Sequence, residues 1–225
     1  MGTGTKVICF ANNKGGSGKS TTCSNVGYGL TQLGRRVLLI DGDMQLNLSL
    51  SLFDEDAVLG FAQGSKNLYE GIRRQDDLTG YIVHTPYEGL DLIPSSTLMS
   101  SIEYELFTKW QREYILKKGL KAIRESGEYD YILIDAPPTL GGWVMNILCA
   151  SDEIVIPVEA SPWGLFGLGN MFEFLDDVKV FDTYIRVDSG IEWSQDNNAP
   201  VMAYKKSSRS AKEYMELAQE IDAAR

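Results

Sequence analysis

Between Val7 and Thr21 the chain reads VICFANNKGGSGKST, setting Gly15, Gly16 and Gly18 between Lys14 and Lys19, with hydroxyls at Ser17, Ser20 and Thr21. These residue types at this spacing suit a dense anion. Glycines let backbone N–H groups converge with no Cβ in the way, and a following helix N-terminus adds donors and a favourable dipole. In the phosphate-loop pattern G-x-x-x-x-G-K-[ST] the lysine reaches the β- and γ-phosphates and the hydroxyl ligates Mg²⁺; Lys19 and Ser20 take those places. The first glycine of that pattern falls at residue 13, which is Asn13. A tight turn that binds nothing is the competing reading, and two lysines, the glycines and the hydroxyl in this register weigh against it.

Two further places offer carboxylates. Asp41-Gly42-Asp43-Met44-Gln45 follows the apolar run Val37–Ile40, and Asp135 closes the run Tyr131–Ile134. Acids just beyond the C-terminal ends of parallel strands lie on the ligand-binding edge of a doubly wound sheet. There one carboxylate can support a Mg²⁺ shell while another orients an attacking water. Taken alone, Asp41 and Asp43 could be a solvated acidic turn, and apolar runs ending in aspartate are common. With a phosphate loop one helix upstream, chemistry is the better reading.

The elements that must hold these residues are legible as an α/β alternation. Val7–Ala11, Arg36–Asp41, Leu90–Pro94, Tyr129–Asp135 and Ile154–Val158 read as buried strands. Helical patterns run from Lys19 to about Leu33, from Met99 to about Glu125, and from Gly164 to about Lys179. Ser207 or Ser208 caps a last helix reaching about Ala224. The Met99–Glu125 stretch repeats Ile102, Leu106, Trp110, Tyr114, Leu116, Leu120 and Ile123 at helical spacing, giving one long or broken helix; its aromatics read as core or subunit contact rather than a cofactor box. Asn47–Gln75 reads as short helices broken at Gly60 and Gly64, a surface region with no chemistry. The fold expected is one doubly wound, mostly parallel α/β domain over residues 1–225.

Composition narrows the function classes. With 44% hydrophobic and 23% charged residues over 225 positions, this is an ordinary globular chain. No apolar run approaches the roughly 18 residues that span a membrane. There is no secretory signal, and Lys6 stands where myristoylation wants a small hydroxyl residue, so a cytoplasmic location is expected. Cys9, Cys23 and Cys149 lack metal spacing and read as buried free thiols; His84, the one histidine, reads as a loop or strand-edge residue. The net charge of −10 excludes a protein that is basic all over, so nucleic-acid contact requires a local patch. Lys205, Lys206, Arg209 and Lys212 form one near the last helix; a solvated helix start is the plain alternative.

The loop KGGSGKS resembles the deviant Walker A motif of the ParA/MinD group of ATPases. Asp41, Asp43 and Gln45 match that family's D-x-D-P-Q, with Met44 in place of the proline. DAPPTLG from Asp135 resembles D-x-P-P-x-L-G, and Leu90–Pro94 resembles LDLIP. The resemblance covers about Lys6 to Ile221 and implies a P-loop NTPase fold that binds ATP and Mg²⁺. It assigns the phosphate cradle to Lys14, Gly15, Gly16, Ser17, Gly18, Lys19, Ser20 and Thr21. Metal binding falls to Ser20, Asp41 and Asp135, and water activation to Asp43. Lys14 would cross a homodimer interface to the partner's nucleotide, acting with Lys19 and Asp43 in catalysis. Basic residues near the C-terminus would bind DNA without sequence preference, and a ParB-like centromere-binding protein would stimulate hydrolysis. A nucleoid-associated, Soj-like partition ATPase is the reading this implies, since no helix-turn-helix segment precedes Lys6.

A strand-plus-helix unit of about 30 residues that the family carries is missing here near 178–180, and omission of a segment is the favoured explanation. Two other functions compete. A MinD-like membrane ATPase calls for a basic amphipathic C-terminal helix, whereas Leu217–Arg225 is acidic and mildly apolar. A non-hydrolysing, nucleotide-gated scaffold or repressor fits the Met44 departure but not the retained lysines and aspartates. A GTPase is disfavoured, because no N-K-x-D motif occurs.

Overall fold

Alternation along three short strands sets the architecture. In a computed structural model that describes residues 4–139, 141–159 and 180–224, strands β1 (Lys6–Phe10), β2 (Val37–Asp41) and β5 (Tyr131–Asp135) are buried on both faces. Val7, Cys9, Leu38, Ile40, Ile132 and Ile134 point into one core, while Ile8, Phe10, Val37, Leu39, Tyr131 and Leu133 point into the other. Period-2 geometry makes this split automatic, and it is why the strands read as continuous apolar runs.

With β3 (Val83–His84), β4 (Leu90–Ile93) and β6 (Glu153–Val155), the sheet has the order β3-β4-β2-β5-β1-β6. All described pairings are parallel except β3 with β4. This is the doubly wound fold the sequence predicts. Register places Asp41 directly beside Asp135, so two acids meet at one edge.

On one face lies α1 (Lys19–Gln32), packed against α11 (Arg209–Ala223). Ser208, one of the two serines expected as the cap, accepts from the Ala211 amide at 3.1 Å. A bidentate Arg35–Asp222 pair at 2.9 and 3.0 Å and a Tyr131 hydroxyl bond to Asp222 tie α11 to the sheet. Between α1 and α11 in sequence come α2 (Asn47–Leu50), α3 (Glu55–Gln63), α4 (Leu68–Arg74), α5 (Ile102–Phe107), α6 (Ile115–Gly119), α7 (Lys121–Ser126), α8 (Gly142–Ala150), α9 (Ser189–Asp196) and α10 (Val201–Tyr204).

Several expectations change. Met99–Glu125 is a series of short helices, the broken one of the two forms its helical spacing allows. Trp110 is 85% and Phe107 73% exposed, so the core reading fails there, whereas Leu106, Leu116, Leu120 and Ile123 are buried as expected. Helical period alone cannot tell a core stripe from an outward turn once the helix breaks. Gly60 lies inside α3 and only Gly64 ends it. The strand expected over 154–158 closes at Val155. Cys9 and Cys23 are buried thiols, but Cys149 is only half-buried. His84 sits on the edge strand, its Nδ1 2.7 Å from Asp91 Oδ1. The helix expected over 164–179 and the junction at 178–179 lie outside the described residues.

Candidate active site

β1 delivers the chain into the glycine loop and α1 receives it. Gly16 and Gly18 have φ of +71° and +82°, the left-handed region that residues with a Cβ avoid, and Gly18 is the residue that starts α1. Asn12 anchors the near side: its Oδ1 accepts from the Lys14 amide at 3.0 Å and its Nδ2 donates to the Pro157 carbonyl at 2.7 Å. Lys19 is buried and folds back over the loop, its Nζ 3.2 Å from the Lys14 carbonyl. Lys14 itself points elsewhere. It is half-exposed and ion-paired with Glu159.

The aspartates divide sharply. Asp41 is fully buried, yet its Oδ2 accepts from the Ser49 amide (2.9 Å) and hydroxyl (2.6 Å), and its Oδ1 from the Asp43 amide (3.2 Å). Burial raises its pKa to about 6 in spite of the Ser49 bonds that pull it down. Asp135 is as deeply buried, but among the described residues neither oxygen has a hydrogen-bond partner. Burial pushes its carboxyl well above the ordinary range and Asp41 adds to this; Ser20 lies near enough to lower it in part, without reaching hydrogen-bond geometry. An orphaned buried carboxylate beside a hydroxyl is the donor set a hard cation fits. Among the described residues no group of three His, Cys, Asp or Glu side chains could hold a metal alone, so most ligands would come from phosphate and water.

Asp43 follows on the same turn. Its Oδ1 accepts from the Gln45 amide at 3.1 Å, and it borders a cavity of about 650 Å³. Gly42 permits the approach of the β2 and β5 ends: a Cβ there would stand 2.7 Å from the Asp135 carbonyl oxygen. The cavity runs along the whole loop from Gly15 to Thr21 and is closed by Asn47, Leu50, Ser51 and Pro138, and by Ser194, Gln195 and Ala199. Gln195 donates to the Thr21 hydroxyl at 2.8 Å, and the Val201 amide donates to Asn25 at 2.8 Å, fastening the α9–α10 return over α1. The region from Asn47 onward, expected to hold no chemistry, therefore supplies the cavity wall and the Ser49 brace. Nothing in local spacing marks those residues.

The basic tail is split. Lys205 stacks over the half-exposed Trp193 ring (5.5 Å), and Lys206 and Lys212 are exposed with no ion pair among the described residues. Arg209 is taken up internally, donating to the Val187 carbonyl at 2.7 Å and lying 4.0 Å from Asp188 and 3.8 Å from Glu213.

A central strand, a glycine loop and a helix, with aspartates closing two neighbouring strands, define the P-loop NTPase fold in its doubly wound, mostly parallel form. Comparison makes this specific. The model of an AAA-domain family matches residues 5–186. The chromosome partitioning protein ParA of Caulobacter vibrioides is 37% identical over 174 residues, covering 77% of this chain and 63% of that protein. The sporulation initiation inhibitor protein Soj of Bacillus subtilis is 37% identical over 187 residues, covering 83% and 70%. A putative plasmid partition protein from Borrelia burgdorferi B31, solved bound to AMPPNP, superposes with a TM-score of 0.78 at 25% identity, over 98% of this chain and 100% of that one. The chain belongs to the ParA/Soj family of partition ATPases.

Proposed function

We propose that this chain is one ParA-like domain that binds ATP with Mg²⁺, dimerises on ATP, holds non-specific DNA and hydrolyses ATP when a ParB-like partner engages it. Its site of action would be the nucleoid. The observation that carries the reading is Asp135: a fully buried carboxylate with no hydrogen-bond donor among the described residues, at the end of the strand beside the glycine loop. The names of the relatives support the partition role, and the cavity at the loop has the size and the donors for a nucleotide.

In this reading the amides of Gly15–Thr21 and the buried Lys19 bind and orient the phosphates. Ser20 and Asp135 hold Mg²⁺, which when bound would neutralise phosphate charge. Asp41, spent on Ser49 and the Asp43 amide, braces the turn, and Asp43 orients the attacking water at the cavity edge. Lys14 exchanges Glu159 for the partner's nucleotide, where its charge would stabilise the transition state. Lys205, Lys206 and Lys212 present charge to the DNA backbone, while Arg209 holds α11 to the Val187–Asp188 segment. Among the described residues no helix is long and apolar enough to cross a membrane.

The test is retention of non-specific DNA with and without ATP, at low and moderate salt, for wild type, Lys14→Ala and the Lys205→Ala/Lys206→Ala pair. Binding that needs ATP, falls with salt and is lost in both variants is the expected result. ATP binding without DNA retention at either salt would overturn the partition reading and favour a membrane or scaffold role.

A further inference from the structure

Trp143 lies on α8, directly after the segment that leaves Asp135, and is 3% exposed. Its indole Nε1 donates to the Gly42 carbonyl at 2.9 Å, in the interior. Gly42 separates Asp41 from Asp43, so this bond fixes the peptide from which the Asp43 side chain springs. The rest of the turn is held from within or by the sheet. The Gly42 amide donates to the Asp135 carbonyl at 3.0 Å, the Asp43 amide to Asp41, and the Gln45 amide to Asp43. Leu46 then sits at φ +62°, a conformation a leucine adopts only when its surroundings impose it. A turn ending in a strained residue needs an external hold, and the indole supplies a directional one.

Trp143 is itself pinned. Glu103 of α5 accepts from the Gly142 amide (Oε2, 3.0 Å) and from the Trp143 amide (Oε1, 2.9 Å), satisfying two free N–H groups at the start of α8 with the charge that a helix N-terminus favours. The fit is close: a Cβ on Gly141 or Gly142 would fall 2.5 or 2.8 Å from the Glu103 oxygens. Glu103, the start of α8, the Trp143 indole and the Gly42 peptide thus form one continuous bonded path ending at Asp43.

We propose that Trp143 is a positioning residue for Asp43, with Glu103 setting the indole through the first turn of α8. Its effect on turnover rests on the reading of Asp43 as the residue that orients water, but its effect on the turn does not. Without the indole N–H the Gly42 carbonyl is buried without a donor, the 42–43 peptide keeps the 3.2 Å bond of its Asp43 amide to Asp41 but loses the hold on its other end, and Asp43 is less firmly placed.

The test compares wild type, Trp143→Phe, which keeps a ring but no N–H, and Glu103→Gln, which weakens the pin on α8. Steady-state ATP hydrolysis is measured alongside amide hydrogen exchange of the apo protein. For Trp143→Phe, kcat falls about tenfold with KM within about twofold, the pattern for loss of a transition-state arrangement rather than of binding. Exchange over residues 41–47 speeds up about tenfold while residues 12–21 keep their protection. Glu103→Gln gives a smaller rise in both 141–146 and 41–47. Unchanged exchange at 41–47 in Trp143→Phe overturns the proposal, as does a Glu103→Gln rise confined to 141–146. If Trp143→Phe loses protection everywhere, Glu103→Gln decides alone. If wild type turns over no ATP, the hydrolytic reading fails and the exchange data still decide the role of the indole.

Discussion

The ends of β2 and β5 carry the same residue type at the same depth, side by side in register, and treat it in opposite ways. Asp41 accepts from donors of its own chain, while among the described residues neither Asp135 oxygen has a hydrogen-bond partner. Both carboxyls are raised by burial, so neither charge is comfortable in the apo protein. A buried charge without a partner is among the most costly features a fold can retain. On the proposed reading the missing partner of Asp135 comes from outside the chain: Asp41 would be part of the frame, and Asp135 the part left open for a ligand.

The difference can be broken most severely through turnover. Asp135→Ala should lower ATP hydrolysis by about 100-fold or more, measured by phosphate release at saturating ATP and Mg²⁺, with the apo fold intact.

The pH dependence of apo stability comes next. A carboxyl whose folded pKa is raised binds protons more tightly folded than unfolded. The destabilisation from Asp41 is therefore fully present above about pH 6 and relieved as pH falls toward the unfolded value near 4. That group alone is worth about 3 kcal/mol over the window, and Asp135 adds in the same direction. Apo melts should shift upward from pH 7 to pH 5.

Two variants should then move apo stability in opposite directions at pH 7. Asp135→Asn removes the orphaned charge and should stabilise by about 1–3 kcal/mol. Ser49→Ala strips Asp41 of a 2.6 Å bond and should destabilise by about 1–2 kcal/mol. Chemical denaturation of the apo proteins measures both. The smallest effect carries the same contrast to the tail. Arg209→Ala should cost about 0.5–1 kcal/mol of stability and leave the salt dependence of DNA retention unchanged, whereas Lys206→Ala should flatten it.

What could be read from the chain follows from how local the physics is. The glycine loop, the strand cores and the Ser208 cap are written in consecutive residues, and their chemistry needs no distant partner. The Ser49 brace, the Trp143–Gly42 bond and the Gln195–Thr21 bond join residues 8, 101 and 174 apart, and no spacing announces them. Trp110 shows the converse: it keeps helical period with Leu106 yet points outward, because the helix ends at Phe107. Arg209 looked like one charge among four until the fold brought Val187, Asp188 and Glu213 to it.

The most direct test of the central claim, that the end of β5 is built to receive a cation, is a melting experiment on ATP-loaded protein titrated with Mg²⁺. Wild type should gain several degrees as Mg²⁺ saturates, since a ligand that binds only the folded state stabilises it by mass action, and Asp135→Ala should gain almost nothing. An equal Mg²⁺ shift in both proteins would contradict the account.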